Sequence, residues 1–461
     1  MMKGYLTVFL SLSLSILIGF VLLLVGFAVG SAEKVRMESA IDAGMNSVLG
    51  EFHIGLHDRY GLIYIDASYL DKEPSVDNVA GRLDFYIREG LRNQEGYAPW
   101  GEVQLTNLQI TGFGTAAEGM GSSMKHQAVC YIQDKGIRGK ESSANEYISS
   151  IGDADTRDVL GEWGALQEQI AGMELPRILN EKGKWEEVPL GNPADAVFEL
   201  TGSDILYLLG ANEWQSGVSI RPEDYISGRR ISQMGNSPGR ETDDLWFLSY
   251  LFAQMGRYHA PREDSLLQYQ LEYIAQGRES DHENLKAVAE RLLSWRFAKN
   301  AAYALENPSL CGEAWAMAGE LHAVLLKPEF QEPVSRSILY ACAYLESLAE
   351  VKCLMSGGQI HIEGDSFSMG VEQVATGGIP SAAASEEGGI GYEEYLACMI
   401  AMLPEEVRNL RSMDIMEMDI RHISGNPHFF MDWCIERYTA EILARDSLGR
   451  EYKLYRTYGY Y

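Results

Sequence analysis

The chain has 461 residues, 46% of them hydrophobic, and a formal net charge of −28. This length allows two or three domains, and the composition is that of a folded protein and excludes a disordered chain. The negative charge disfavours nucleic acid and anionic surfaces as partners of the folded part. The six cysteines are too scattered for a disulfide scaffold, and no CxxC pair suggests a metal or redox site.

The first element is an apolar stretch of 29 residues without a charge, between Lys3 and Glu33. A helix needs about 20 apolar residues to cross a bilayer core, so this stretch predicts a single membrane span. A secretory signal cleaved after Ala32 is the alternative, but its apolar region typically runs only about 7–15 residues. Lys3 and the short tail before it favour a cytoplasmic amino terminus and an extracellular bulk. The span residues used to define this prediction are Leu6, Val8, Phe9, Leu10, Leu14, Ile18, Phe20 and Leu24.

An apolar stripe with a period near 3.6 continues from Val35 to Phe52, which predicts one helix that leaves the membrane and packs on a soluble head. His53 and His57 then stand four residues apart, the spacing of two metal ligands on a helix. Because the third ligand and the acidic base of a zinc protease are missing, we interpret both as surface or packing histidines.

Alternating residues predict two hairpins. The alternation at Val103–Ile110 predicts a strand, and that at Gln127–Ile132 predicts a weaker one. The loop between them is predicted from Gly112, Gly114, Gly119 and Gly121. Residues 431–443 and 451–461 predict a second hairpin around the turn Asp446–Gly449. We expect the two hairpins to share a four-stranded sheet, because one hairpin alone is only marginally stable. Residues 62–66 predict a short extended segment, and Asp77–Leu91 predicts a helix.

From residue 241 onward, successive helical stripes without a lipid-length apolar run predict a soluble helical bundle. A glycine- and serine-rich segment at 356–391 interrupts this bundle, and we interpret it as a mobile surface connection. A helix with a break at Gly152–Asp153 is expected over 142–170, and a Gly/Ser/Pro-rich stretch at 235–239 closes the region that precedes the bundle.

The sequence contains no GxSxG elbow, HExxH helix or Rossmann fingerprint. We therefore expect no enzymatic activity, no cofactor and no metal. In so acidic a chain, pairs such as Asp243 and Asp244, or Asp414 and Asp419, are expected on solvated faces. Cys342 and Cys353 lie in an apolar helical pattern and are expected to be buried as small hydrophobic residues.

The amino-terminal segment Met1–Phe9 and the extension Glu33–Phe52 resemble the minor pilins and pseudopilins of tight-adherence (Tad-type) pili. That resemblance implies cleavage by a prepilin peptidase between Gly4 and Tyr5. The chain departs from type IV-like pilins at Phe9, where they carry glutamate at the fifth mature position. The resemblance to Tad-type pilins also implies a pilin-like head that contains β-strands.

The whole chain is also similar to an uncharacterised family of membrane-anchored proteins from Gram-positive bacteria, which usually accompanies Tad-like pilus components. Its molecular function is unknown. The segments that carry this similarity are Lys3–Leu10, Tyr60–Leu62, Leu271–Ile274, Asn284–Val288, Arg291–Leu293 and Gly391–Leu396.

Together these features predict an α+β fold in which a transmembrane helix continues into a pilin-like head that carries a large inserted helical bundle. The expected segments are the leader and span (1–32), the helix extension and head (33–140), a mixed linker (141–240), the bundle (241–425) and the returning hairpin (426–461). The expected function is a non-enzymatic, pseudopilin-like component or accessory of a Tad-like pilus or secretion system. Its partners would be the lipid bilayer and other components of that machine. A tethered extracellular ligand-binding domain and a cell-wall hydrolase are the alternatives.

Overall fold

A computed structural model describes residues 2–92, 103–139, 144–175, 177–179, 183–187, 191–210, 216–231, 244–325, 328–363 and 367–460. The predicted segment boundaries at 140/141 and 240/241, the stretch at 235–239 and Asp243 lie outside these residues. Helices and strands are both present, so the α+β class is confirmed.

The elements follow one another along the chain in a mixed order. They are α1 (Met2–Leu49), α2 (Ile54–Tyr60), β1 (Ile65–Asp66), α3 (Val76–Leu91), β2 (Gln104–Thr115), α4 (Glu118–Lys135), α5 (Ala144–Asp155), α6 (Val159–Ala171), β3 (Arg177–Leu179), β4 (Trp185–Glu187), α7 (Asp195–Leu200), α8 (Ile205–Leu209), α9 (Asp244–Gln254), α10 (Gln270–Gln276), α11 (Asp281–Glu306), α12 (Pro308–Leu325), α13 (Gln331–Met355), β5 (Gln359–Ile360), α14 (Val371–Thr376), β6 (Ile390–Gly391), α15 (Tyr392–Ala401), α16 (Glu405–Ser424), β7 (Cys434–Arg445) and β8 (Glu451–Gly459).

The chain divides into two compact units, and each is made of separate chain segments. The first unit comprises Met1–Tyr131, Glu223–Thr242 and Met413–Tyr461, and the second comprises Ile132–Pro222 and Asp243–Ser412. The division falls within α4 and within α16.

The first unit is built around β7, the central strand of a four-stranded antiparallel sheet. β2 pairs along one edge of β7, from Gln104 opposite Arg445 to Thr115 opposite Ile435. β8 pairs along the other edge, where the short β1 also meets the start of β7. The alternation in residues 434–445 places Tyr438, Ala440, Ile442 and Ala444 in the core. The carboxy-terminal hairpin is thus confirmed, and so is its pairing with the strand predicted at 103–110.

The carboxy-terminal half of α1 packs with α3 against this sheet. Buried residues recur along α1 at Met37, Ile41, Met45 and Val48, and along α3 at Val79, Leu83, Ile87 and Leu91. The two helices approach closely at Gly44, where a Cβ atom would lie only 2.8 Å from Cγ1 of Ile87. At the far end of the sheet, the hydroxyl of Tyr438 donates to the carbonyl of Met45 over 2.9 Å. One helix of 48 residues therefore supplies both the apolar amino-terminal stretch and part of a folded core.

The strand predicted at Gln127–Ile132 is wrong, because these residues belong to α4. Met124, Ala128 and Ile132 are all fully buried, and their spacing of four is that of one helix face. The predicted glycine loop is also wrong. Gly112 and Gly114 lie in β2, whereas Gly119, Met120 and Gly121 adopt left-handed φ angles of 59°, 55° and 81° and reverse the chain at the start of α4. β1 takes the fourth place in the sheet instead.

The second unit is mainly helical, as predicted from residue 241 onward. α11 and α13 are its longest helices and pack along each other, and α12 packs on both of them. α12 was not predicted. The helix expected over 142–170 breaks after Asp155 rather than at Gly152. The segment 356–391 contains α14 and a short β5–β6 ladder, so it has more regular structure than a surface connection would need.

We expect Ile41→Ala in α1 to lower the free energy of unfolding of the first unit by about 2–4 kcal/mol, since it removes a fully buried side chain between α3 and the sheet. Ile54→Ala is the matched control, because Ile54 is 67% exposed. Denaturant-dependent hydrogen exchange of the β7 amides in the detergent-solubilised chain measures the difference. Equal losses in the two variants would contradict the packing of α1 on the sheet.

Candidate functional site

The amino-terminal half of α1 is the most unusual surface of the chain. Every large apolar side chain from Tyr5 to Phe27 is exposed, with exposed fractions between 42% for Val25 and 77% for Tyr5. The predicted span residues Leu6, Val8, Phe9, Leu10, Leu14, Ile18, Phe20 and Leu24 all belong to this set. Within the part of the chain that the structure describes, α1 is the one helix long and apolar enough to cross a membrane.

Burial along α1 begins at Gly30 and Glu33, where the turn between β7 and β8 meets the helix. A Cβ atom on Gly30 would lie 1.5 Å from Nη2 of Arg450, so a larger residue at this position would displace this guanidinium. Glu33 is almost fully buried and accepts hydrogen bonds from the hydroxyl and the backbone N–H of Ser447, the latter at 3.3 Å. We call residues 446–450 the junction turn.

The junction turn is organised by the carboxylate of Asp446. Its oxygens accept the backbone N–H groups of Leu448 at 3.0 Å and Arg450 at 2.8 Å, and Nε of Arg450 at 2.6 Å. Burial alone would raise the pKa of Asp446, but these hydrogen bonds from Arg450 and one from Tyr452 hold that pKa below its usual range. Gly449 completes the turn with a left-handed φ of 80°. The turn is therefore rigidly shaped and fixed to α1, while Leu448 remains 56% exposed.

The structure agrees with the interpretation of His53 and His57 as packing or surface histidines, because His53 is buried and His57 is exposed. The prediction that both lie on the extension of α1 is wrong, since α1 ends at Leu49 and His53 precedes α2. Nδ1 of His53 accepts the backbone N–H of Leu56 at 3.0 Å and caps α2, and its ring packs on Phe429. Burial lowers the pKa of His53, partly offset by Asp66. Among the described residues no group of three or more His, Cys, Asp or Glu could hold a metal ion.

Asp414 and Asp419 are buried, so the expectation that they lie on solvated faces is wrong. Asp414 accepts the backbone N–H of Ser227 at 2.8 Å. Asp419 accepts Nε of Arg59 at 2.9 Å and the hydroxyl of Tyr60 at 2.5 Å. Both carboxylates therefore hold together segments of the first unit that are far apart in the sequence.

A third buried carboxylate on α16, not predicted from the sequence, binds the segment that follows Glu223. Glu417 accepts both guanidinium nitrogens of Arg229 at 2.5 and 2.8 Å, and Nη2 of Arg229 also donates to Asp432 at 2.6 Å. Burial raises the pKa of Glu417, and Arg229 opposes that shift. Loss of one partner would strongly destabilise the first unit, because a buried charge would remain unpaired.

Cys342 and Cys353 are buried, as predicted. Burial raises the pKa of the Cys342 thiol to about 12, which leaves it protonated and unreactive at neutral pH.

In the second unit, α11 and α13 are joined by a buried ion pair that the sequence did not indicate. Nε and Nη2 of Arg296 donate to the two carboxylate oxygens of Glu350 at 2.7 and 2.6 Å, and Asn300 donates to the same carboxylate at 2.6 Å. The remaining nitrogen of Arg296 donates to the carbonyls of His361 and Ile362. These bonds fix the start of the 356–391 segment on the helix pair.

Glu346, one turn before Glu350, holds a later part of the same segment. It accepts the backbone N–H groups of Ser368 at 2.9 Å and Met369 at 2.7 Å. A cavity of about 280 Å³ lies between the two attachments, with Arg296 and Glu350 in its wall. Because both charges are already paired, this cavity offers no free charged group from these two residues.

A cleft of about 600 Å³ in the second unit is lined by Tyr258, His259 and Tyr269. Behind its wall lies Glu272, which is fully buried and accepts the backbone N–H of Tyr258 at 2.9 Å and the hydroxyl of Tyr392 at 2.6 Å. Its second carboxylate oxygen has no hydrogen-bond partner among the described residues. Burial raises the pKa of Glu272 to about 7, although both hydrogen bonds lower it. This raised pKa brings the carboxyl of Glu272 into the range near neutral pH.

We expect Glu272→Gln to remove a pH dependence from the stability of the second unit. The folded pKa lies above the unfolded value of 4.5, so the folded state keeps a proton that the unfolded state releases between these values. The contribution of Glu272 is then fully present below pH 4.5 and is lost as the pH rises through about 7. Relative to the Gln variant, the free energy of unfolding of the wild type should fall by about 2–3 kcal/mol between pH 5 and pH 8.

Thermal and urea unfolding of both proteins across this pH range measures the difference. Glu263→Gln is the control, because Glu263 lines the same cleft but is exposed. A constant difference between the wild type and Glu272→Gln over the whole range would contradict the assignment.

Comparison with known proteins gives one match. Residues 183–446, more than half of the chain, match a family of unknown function, DUF5702. No curated protein and no solved structure matches the chain. The matched residues run from the β3–β4 hairpin to the first residue of the junction turn, and they exclude α1. By this match the chain belongs to the family of unknown function DUF5702.

Proposed function

We propose that this protein is a non-enzymatic, single-span envelope protein that works as a pseudopilin-like component or accessory of a Tad-like pilus or secretion machine. The observation that carries the proposal is the division of α1 into two halves. The first half exposes its apolar side chains on all sides, and the second half is part of the core of the first unit.

Apolar surface on this scale needs a cover. Burying it stabilises by about 25 cal/mol for each Å² removed from water, and 17 of the 23 positions from Tyr5 to Phe27 carry a large apolar side chain. Lipid covers such a helix on all sides, which suits a stretch without a charged residue. The hydroxyls of Ser11 and Ser15 donate to the carbonyls of Val8 and Ser11 at 2.9 and 2.8 Å. Their polar groups are thus satisfied within the helix, as a lipid environment requires.

The absence of a linker between the span and the head supports the pseudopilin-like part of the proposal. The helix is continuous from Met2 to Leu49, so a displacement of the span moves the sheet of the first unit with it. In such a component the amino terminus is cytoplasmic, the bulk is extracellular, and the spans of neighbouring subunits pack helix to helix. A prepilin peptidase would cut between Gly4 and Tyr5 and leave Tyr5 as the mature terminus.

We expect the full chain to remain in native membranes after carbonate extraction, because the span must be removed from water. Intact-mass analysis should give a chain that begins at Tyr5, and protease added to intact cells should digest the bulk. A soluble chain in the medium that begins after Ala32 would overturn the anchor. A chain that begins at Met1 and stays in the membrane would overturn the processing step alone.

The pilus context has its own test. A photo-crosslinking amino acid at Leu14, in the middle of the exposed stretch, should form an adduct with a pilin-type subunit of the machine through that subunit's own apolar helix. The same probe at Leu160, which is exposed in the second unit, is the control. Adducts at Leu14 with lipid alone, in cells that assemble the machine, would contradict membership in it and would leave the anchor intact.

A further inference from the structure

The junction turn stands where α1 changes from exposed to buried. The last large exposed side chain of the apolar stretch is Phe27, and the first residue covered by the turn is Gly30. Three residues of helix rise about 4.5 Å. The polar layer on each side of the hydrocarbon is about 5–7 Å thick, so a bilayer around the apolar stretch has its lipid headgroups at the level of this turn.

The side chains at this level have the chemistry of a membrane interface. Two carboxylates, Glu33 and Asp446, are buried and accept hydrogen bonds from within the unit. Arg445 and Glu451, on either side of the turn, are exposed but pair with each other. The remaining cations face solvent: Lys34 is exposed, and the side chain of Arg450 is 43% exposed although it pairs with Asp446. Leu448 projects from the tip of the turn with more than half of its surface uncovered.

We infer that the junction turn is a second membrane contact, at which Leu448 enters the headgroup layer and Arg450 and Lys34 bind lipid phosphate. The inference rests on the proposed membrane anchor. A basic side chain beside a bilayer buries its stem against apolar surface and extends its charged end to the phosphates. Glu33 binds Ser447, and the guanidinium of Arg450 lies against Gly30, so the turn is held on α1. This membrane contact therefore also fixes the angle at which the helix leaves the membrane.

The sheet supplies a matched reference position at its opposite end. Leu70 is 58% exposed, and it follows β1, which pairs with Cys434 at the start of β7. The junction turn follows the end of β7 at Arg445, so the two leucines are separated by roughly the length of that strand, about 40 Å at 3.3 Å per residue. Equal exposure and opposite placement make Leu70 the control for Leu448.

The test uses the full chain in bilayers of phosphatidylcholine with phosphatidylglycerol. An environment-sensitive fluorophore is attached to Leu448→Cys, Leu70→Cys or Leu17→Cys in a background where the partly exposed Cys130 and Cys311 are serine. A nitroxide on the lipid headgroup then quenches each probe according to its depth. We expect the probe at position 448 to be quenched about threefold more than the probe at position 70, because only the former lies in the headgroup layer.

The probe at position 17 tests the membrane anchor separately from the contact at the junction turn. Its shielding from a water-soluble quencher tests the anchor, because Leu17 lies in the middle of the apolar stretch. A shielded probe at 17 with equal headgroup quenching at 448 and 70 would overturn the junction contact and keep the anchor. A probe at 17 that is open to the water-soluble quencher would overturn both. A blue-shifted probe at 448 without headgroup quenching would indicate a protein contact and would also overturn the inference.

The role of the cations is tested by varying the fraction of phosphatidylglycerol in these bilayers. We expect headgroup quenching at position 448 to increase with the anionic lipid fraction, and Lys34→Gln to reduce that increase by about half, because one of the two cations proposed to bind lipid phosphate is lost. Ser39→Gln, at an exposed position further along α1, is the control and should leave the increase unchanged. An increase that is the same in Lys34→Gln and in the wild type would contradict phosphate binding at this turn.

Discussion

The continuity of α1 is the constraint on which the rest of the first unit depends. A single helix lies in two environments, because its first half is not covered by any described part of the chain and its second half is buried between α3 and the sheet. The transition occurs over fewer than two helical turns, between Phe27 and Glu33. There the protein covers the helix with the junction turn, whose Ser447 and Arg450 contact Glu33 and Gly30 across more than 400 residues of sequence. The end of the chain thus returns to the point where α1 meets the folded core.

The features recognised from the sequence are those with strong local periodicity. The length of α1, the helix at Asp77–Leu91 and the carboxy-terminal hairpin each repeat a pattern over many residues, so a single chain segment carries the signal. The segment at Gln127–Ile132 misled because its apolar residues fit a period of two nearly as well as one of four. Three left-handed residues at 119–121, one of them a methionine, then decide that the chain turns into α4. Non-local pairs such as Arg296 with Glu350, or Arg229 with Glu417, leave no trace in local spacing.

Both units contain buried carboxylates. The hydrogen-bond partners of these carboxylates explain how an acidic chain can fold with them in its interior. Glu417 and Glu350 each face an arginine with two hydrogen bonds, whereas Glu272 has only neutral donors. An arginine in a bidentate pair opposes the effect of burial on the pKa of a carboxylate, and neutral donors do so less strongly. The raised pKa of Glu272, about 7, follows from this difference and from its full burial. The cleft in front of it therefore adjoins a carboxyl whose protonation changes near neutral pH.

The distribution of charge in the first unit bears on how it would stand on a membrane. A chain of net charge −28 is repelled by an anionic surface, but that repulsion is screened beyond about 8–10 Å in physiological salt. What decides the contact is therefore the set of charges within one screening length of the lipid. At the junction turn Glu33 and Asp446 are buried, and the exposed Glu451 is paired with Arg445. Lys34 and Arg450 are exposed, so the exposed charge there is positive, the opposite of the chain's average. An acidic protein can thus be held close to phosphate at one point while the rest of its surface is repelled, and such an arrangement favours one orientation of the sheet over all others.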